Sequence, residues 1–228
     1  MSDVILYDYW RSSASCRVRI ALNLAGIAYR AVTVDLVKGE QVSPDHLARN
    51  PQGLVPVLEI DGLRLTQSLA ILDYLDQTRH LDLLPRTPAE RATAQALAHA
   101  IAVDLHPVCN LKVARHASGL CTGSAASPAA QPVDMPADWM RHFIRPGLVA
   151  FNTLLEEHPV APYCTGDHPG LADLCLIPQL YNARRWGVNF DDLPRLVMIE
   201  TTCAGNPAFA MAHPDAVHTL DPPQKQTE

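Results

Sequence analysis

The run Arg11-Ser12-Ser13-Ala14-Ser15-Cys16-Arg17 joins an apolar, β-prone stretch, Val4–Tyr9, to a helical pattern over Ser15–Ala25. A helix start carries unpaired N–H groups and partial positive charge, so a hydroxyl placed there can hold a thiolate or a carboxylate. The same spacing also suits plain capping by Ser12 or Ser13. A second place of this kind is Gln67-Ser68, where Ser68 reads as the N-cap of a helix over Ser68–Thr78 and the helix start offers N–H groups to a carboxylate. The third is Leu54-Val55-Pro56-Val57. Proline entering a strand sits at an edge or a bend. A cis Val55–Pro56 bond would turn the N–H and C=O of Val55 toward an extended peptide, although only about 5–6% of such bonds are cis. Together these features describe two helix N-termini and an edge-strand backbone around a small anionic peptide.

The elements that must position them alternate over the first 80 residues. A strand at Val4–Tyr9, a helix with Val18, Ala21, Leu22 and Ala25 on one face and Gly26 after its end, and a strand at Ala31–Leu36 make a β-α-β unit. After a connecting segment, Val55–Ile60 and Leu63–Thr66 flank Asp61-Gly62, a strong hairpin signal, and the helix at Ser68 follows. The first strands predict a parallel pair, and the hairpin adds an antiparallel edge. Beyond Leu84 the pattern is helical. Thr87-Pro88-Ala89-Glu90 is a capping box with proline at the first helical position. One long helix is predicted from there to about Ala117, with Leu97, Ile101, Leu105 and Val108 on one face and a kink at Pro107. The Ser-, Ala-, Gly- and Pro-rich segment 118–137 reads as a mobile loop, a surface insertion more than a lid. Helices resume at Trp139–Glu157, Leu171–Trp186 and Leu193–Ala204, and Pro222–Glu228 reads as a frayed tail. The expected division is a small α/β domain, 1–84, and an all-helical domain, 85–228.

Composition bounds the function. With 48% hydrophobic residues and a formal charge of −6 over 228 residues, the chain can bury a core and is no disordered polyelectrolyte. The mild acidity excludes broad nucleic-acid binding, which needs a basic stripe. The charge is uneven, near −1 over residues 1–80 and −5 over the remainder, with Arg11, Arg17 and Arg19 gathered at the first helix. No apolar run of membrane-spanning length occurs, and Met1-Ser2-Asp3 opens no signal peptide. Six scattered cysteines without Cys-x-x-Cys pairs or finger-like Cys/His spacing argue against a zinc site and suit reduced thiols in a cytoplasmic protein.

The run Tyr9-Trp10-Arg11-Ser12-Ser13-Ala14-Ser15-Cys16-Arg17-Val18-Arg19-Ile20-Ala21-Leu22 closely resembles the signature of zeta-class glutathione transferases. Asn50-Pro51-Gln52-Gly53-Leu54-Val55-Pro56, Gln67-Ser68-Leu69-Ala70-Ile71, Ala172-Asp173-Leu174-Cys175-Leu176-Ile177-Pro178-Gln179 and Asn182-Ala183-Arg184-Arg185-Trp186 resemble it as well. The likeness runs from about residue 4 to about 205, interrupted at 118–137. It is strongest to the bacterial members that isomerise maleylacetoacetate, with the maleylpyruvate isomerases near relatives. The resemblance implies the glutathione transferase fold: a thioredoxin-like domain binding glutathione, then a helical domain, in a cytoplasmic homodimer. Its implied activity is the glutathione-dependent cis–trans isomerisation of maleylacetoacetate in tyrosine and phenylalanine breakdown. Maleylpyruvate, in gentisate breakdown, and α-halo acids are the alternative substrates.

By the same resemblance Ser12 holds the glutathione thiolate, with Ser13 and Arg17 in the same catalytic turn. Gln41 and Val55, the latter before a cis Pro56, contact the tripeptide backbone, and Gln67 and Ser68 hold its γ-glutamyl end. His106 and Asn110 are further cofactor contacts. Arg185 binds a carboxylate of a small dicarboxylate substrate, with Arg11 and Lys112 as further candidates; the bland reading of Arg184 and Arg185 is a solvated helix end. The implied chemistry is nucleophilic addition of a borrowed thiolate to the alkene, rotation, and elimination. Three departures stand out. Ala14 replaces the cysteine common in the family, Cys16 occupies a position often aromatic, and Gly170 replaces a capping hydroxyl before Leu171-Ala172-Asp173, which leaves Asp173 a structural role.

Overall fold

The computed structural model describes residues 4–121 and 137–220. The chain forms two compact units, one of residues up to Leu81 together with those from Ala204, the other of Asp82–Cys203.

In the first unit β1 (Ile5–Asp8) leads into α1 (Ser13–Leu24), and β2 (Arg30–Thr33) pairs parallel to β1. A parallel pair needs a long crossover, which α1 supplies. The connecting segment holds a 3₁₀ turn, Glu40–Val42, and a short α2 (Pro44–Leu47). Then come β3 (Val57–Ile60), β4 (Leu63–Thr66) and α3 (Ser68–Arg79). The sheet order is β2-β1-β3-β4, with β3 antiparallel to β1 and β4 antiparallel to β3. Asp61 and Gly62 take φ of 53° and 78°, the left-handed pair that lets a two-residue turn follow strand twist. Asp61 also accepts hydrogen bonds from the Tyr74 hydroxyl at 2.7 Å and Arg79 at 2.6 Å, and the two donors hold its carboxyl below the usual range. Leu6, Ile20, Leu22, Leu58, Ile71 and Leu75 are fully enclosed between sheet and helices.

The second unit is built of helices, with no strand among its described residues. Its elements are α4 (Pro88–His99), a π-helical stretch Ala100–Leu105, α5 (His106–Val108), α6 (Leu111–Cys121), α7 (Ala137–Leu155), α8 (Leu171–Arg185) and α9 (Pro194–Ala204). The N-cap half of the expected capping box forms, with the Thr87 hydroxyl accepting the Glu90 N–H, but the Glu90 carboxylate accepts from that same hydroxyl at 2.6 Å. The single helix expected to reach Ala117 does not. Pro107 has no N–H to donate, and its ring crowds the carbonyl one turn back. The helix widens into the π stretch before it and stops at Cys109. Asn110 then starts α6, its side chain accepting the Lys112 N–H at 2.9 Å. Leu97, Ile101 and Leu105 are buried as expected, but Val108 is half-exposed and Cys109 takes the inward position. Helix α6 reaches Cys121, so residues 118–121 of the segment expected as a loop are helical; residues 122–136 and the tail from 221 lie outside the described residues.

At α8 the missing capping hydroxyl is replaced by main chain. The Gly170 carbonyl accepts the Asp173 N–H at 3.0 Å, while the Asp173 carboxylate accepts from the N–H groups of Gly170 at 2.8 Å and Cys164 at 2.9 Å. A Cβ on Gly170 would lie 3.2 Å from the Leu83 carbonyl, tighter than ordinary contact. Asp173 is fully buried, which pushes its carboxyl up, and the two N–H donors pull it partly back.

The chain then returns to the first unit through α10 (Pro207–Ala212) and α11 (Pro214–Leu220). Arg19 and Cys16 of α1 donate to the Ala212 carbonyl, and Asn23 donates to that of Ala208. The expected single boundary near 84 is thus joined by a second, between Cys203 and Ala204. Among the described residues no helix is long and apolar enough to cross a membrane.

Asp173→Ala would strand two buried N–H groups and remove the α8 cap. A loss of about 2–4 kcal/mol in urea-induced unfolding is expected; a change below about 0.5 kcal/mol would show the cap to be dispensable.

Candidate active site

The turn between β1 and α1 is held tightly. The Ser12 N–H donates to the Tyr9 carbonyl at 2.8 Å, and the Ser12 carbonyl accepts the Cys16 N–H at 2.9 Å. Ser12 is the N-cap of α1, its Oγ accepting the Ser15 N–H at 3.2 Å. That uses an acceptor site of the hydroxyl and leaves its proton to donate. Ser13 is the first helical residue. Capping by Ser12 therefore does not use up the hydroxyl proton that the anion-holding reading requires. Arg11, in the same turn, donates to the Tyr9 hydroxyl at 3.0 Å and lies 4.8 Å from the Trp10 ring centre. The indole in turn stacks on His218 of α11 at 4.1 Å, so Arg11 is steered by rings. Among the described residues no carboxylate pairs with it.

Cys16 sits on the opposite side of this turn's purpose. It is 2% exposed, its thiol donates to the Ala212 carbonyl at 3.4 Å, and burial raises its pKa above that of an ordinary thiol. Arg19 and Arg17 oppose that rise without reversing it. Cys109 is likewise pushed up by burial, to about 11, and Cys16, Cys109, Cys164, Cys175 and Cys203 are all buried and free of disulfides. None of these thiols is placed to act as a nucleophile.

The Val55–Pro56 bond is cis, and Pro56 is buried. The β3 ladder starts at Val57, so Val55 stands just beyond it. The preceding Leu54 carbonyl accepts from Asn50 Nδ2 at 2.9 Å and contacts His46 Nε2 at 3.0 Å, and both side chains are only 2% exposed. These two residues hold the loop that presents Val55; the sequence assigned no role to His46 and quoted Asn50 only within a motif. Gly53 (φ 64°) completes the loop, where a Cβ would come 3.2 Å from the Gln41 carbonyl. Gln41 lies in the 3₁₀ turn, and its buried Oε1 has no hydrogen-bond partner among the described residues.

Ser68 is not the N-cap of α3 but its first residue. Gln67 takes the cap position at φ 67°, ψ 111°, and makes no side-chain cap. A non-glycine residue held at positive φ is strained, and such strain collects at ligand sites. Gln67 Nε2 donates to Gln52 Oε1 at 2.7 Å. Ser68, 7% exposed, accepts from Nη1 of Arg17 at 3.2 Å.

In the second unit His106 opens α5 beside Pro107, half-buried. Asn110 caps α6, and Lys112 is exposed on its first turn. Arg184 and Arg185 at the end of α8 differ. Arg184 is bound to Asp191 at 2.7 Å and Glu200 at 2.9 Å, whereas exposed Arg185 lies over the Trp186 ring at 4.6 Å.

The first unit's donor set fits a small peptide thiol. It offers a hydroxyl donor at a helix start, an unused amide oxygen at Gln41, a backbone beyond a sheet edge at Val55, and a buried cation with unmet N–H groups, Arg17 Nε and Nη2. Among the described residues no cluster suited to a metal ion occurs.

Residues 2–77 match the model of the glutathione S-transferase N-terminal domain. The chain is 55% identical over 216 residues to maleylacetoacetate isomerase of Rhizobium meliloti strain 1021, covering 94% of this chain and 97% of that one. The solved structure of maleylacetoacetate isomerase from Methylobacterium extorquens AM1, with malonate and GSH bound, is similar at a TM-score of 0.84 and 40% identity, covering 93% of this chain and 97% of that one. The holo structure of a bacterial zeta-class maleylpyruvate isomerase is similar at a TM-score of 0.84 and 35% identity, with the same coverage.

Cys16 should resist iodoacetamide at pH 7 in the native protein, as read by peptide mass spectrometry, and label fully once unfolded. Cys16→Ala should cost about 1–2 kcal/mol of stability through lost packing. Rapid native labelling of Cys16 would show a reactive thiol that the burial does not allow.

Proposed function

Because the chain belongs to the zeta-class glutathione transferases, the family of the maleylacetoacetate isomerases, we infer that it is a glutathione-dependent cis–trans isomerase that converts maleylacetoacetate to fumarylacetoacetate in tyrosine and phenylalanine breakdown. The observation that carries this reading is 55% identity to an isomerase of that name along nearly the whole chain. The reading includes a homodimer in the cytoplasm and a division of labour between an α/β cofactor domain, near residues 1–84, and a helical substrate domain beyond it.

Bound glutathione supplies a thiolate that adds reversibly to the maleyl double bond, so the carbon–carbon link can turn before elimination restores the alkene. An ordinary thiol has a pKa of ~8.5 and is mostly protonated at neutral pH. Ser12 is the residue that changes this. Its Oγ is anchored by the Ser15 N–H, which leaves its proton for the sulfur, and the α1 start adds partial positive charge. Ser13 shares that start. Gln41 and Val55 hold the tripeptide's main chain beside Pro56, and Gln67 with Ser68 holds its γ-glutamyl end. The resemblance assigns His106 and Asn110 to the cofactor as well. Arg11, Lys112 and Arg185 take the dicarboxylate. Guanidinium forks suit its carboxylates, and a cation near the developing enolate oxygen lowers the barrier. Arg11 is already oriented by Tyr9 and Trp10. Arg184 is committed to its own carboxylates and takes no part.

Isomerisation of maleylpyruvate is a second reading, favoured by an equal TM-score of 0.84 to an enzyme of that name. Side-by-side turnover of both substrates, with and without glutathione, separates them. The expected result is glutathione-dependent turnover with kcat/KM higher for maleylacetoacetate. Preference for maleylpyruvate would move the assignment, and turnover of neither would overturn the isomerase reading. Ser12→Ala, folded by circular dichroism, should lower kcat/KM about 100-fold or more, the scale of losing one anion-stabilising donor; unchanged turnover would remove Ser12 from the mechanism.

A further inference from the structure

Helix α1 carries two arginines almost completely out of water, and among the described residues only one of them is paired with a carboxylate. Arg19, 1% exposed, donates from Nη1 to both oxygens of Asp8 at 2.8 Å and spends Nε and Nη2 on the carbonyls of Ala212 and Trp10. Arg17, 2% exposed, makes one hydrogen bond, to the neutral hydroxyl of Ser68. Its Nε and Nη2 have no acceptor, and no carboxylate pairs with it, among the described residues. A guanidinium stripped of water is stable only when an anion or a full set of acceptors replaces that water. Asp8, at the end of the preceding strand, is already taken by Arg19.

Ser68 is the partner of Arg17 and has a proton of its own to place. Its oxygen accepts from Arg17, so its own proton must donate elsewhere. It also opens a 12-residue helix whose first N–H groups receive no side-chain cap from Gln67. A buried cation, a hydroxyl aimed by that cation, and an uncapped helix start thus converge on one place. We propose that Arg17 binds and orients the free α-carboxylate of glutathione's γ-glutamyl residue, by aligning the Ser68 hydroxyl toward it and supplying the compensating charge, and that it does not act at the sulfur. The proposal rests on the glutathione reading above and replaces the catalytic role that the sequence suggests for Arg17.

The test is isothermal titration at pH 7 with S-methylglutathione, which has no thiol, and with its analogue carrying 4-aminobutanoyl in place of γ-glutamyl, which lacks only the α-carboxylate. Wild type should bind the analogue about 10- to 100-fold more weakly, the scale of hydrogen bonds to a charged group. Arg17→Met should lose a similar factor for S-methylglutathione and little for the analogue, and Arg17→Lys should recover part of the loss. Equal losses for both ligands in Arg17→Met, or none for either, would overturn the proposal. If Arg17→Met does not fold, Arg17→Lys carries the same comparison. Equal wild-type affinity for the two ligands overturns the proposal without any variant. Wild type binding neither ligand would instead overturn the glutathione reading itself.

Discussion

The ion pair of Arg19 with Asp8, in which Nη1 donates to both carboxylate oxygens, is the interaction on which the first unit's architecture depends. It ties the end of β1 to the middle of α1, and the same guanidinium reaches the Trp10 carbonyl inside the intervening turn and the Ala212 carbonyl of α10. Strand, turn, helix and returning C-terminal segment are therefore fixed by one side chain. Burial favours neutral Arg19 and is the largest single influence, but the charge and hydrogen bonds of Asp8, together with Cys16 and Tyr29, outweigh it and raise the pKa. Breaking such a pair leaves an uncompensated charge and typically costs about 3–5 kcal/mol. The Ser12 hydroxyl sits within the turn that this pair holds, so the precision of the anion site is inherited from a contact that never meets the ligand.

A second support works without charge. Asn50 and His46 both engage the Leu54 carbonyl, and Gly53 lets the Gln41 main chain approach. The stretch Leu54–Pro56 has no ladder partner to hold it, since β3 pairing begins at Val57. Buried side-chain donors replace the sheet there. The protein's own thiols stay out of this arrangement. Cys16 is closest in sequence to the reactive turn, yet its sulfur is turned to the α10 carbonyl in a water-free contact that disfavours the thiolate.

Much of this was legible because it is written in local patterns. Asp61-Gly62, Thr87-Pro88-Ala89-Glu90 and the Ser-rich start of α1 each fix a backbone conformation through their own side chains. What escaped was set by distant partners. Nothing near Pro207 or Pro214 announces that α10 and α11 pack against α1, because the bonds that bring them there run to Arg19, Cys16 and Asn23. Pro107 signals a disturbance but not its form, a widened turn and a fresh cap at Asn110. Arg17 and Arg19 look alike in sequence, and only the sheet's delivery of Asp8 to one of them tells them apart. In the first unit the bond from Arg17 to Ser68 joins two of the candidate residues, and the resemblance supplies the roles. For His106, Asn110, Lys112 and Arg185 the helical pattern supplies positions and the resemblance supplies roles.

The central claim is that the nucleophile is borrowed, its anion stabilised by Ser12 and the start of α1. The most direct measurement is the ultraviolet thiolate absorbance near 240 nm of glutathione bound to the wild-type protein, followed as a function of pH. The account predicts a thiolate already formed at neutral pH, with an apparent pKa clearly below the ~8.5 of an ordinary thiol. A bound thiol that titrates no earlier than free glutathione would contradict it.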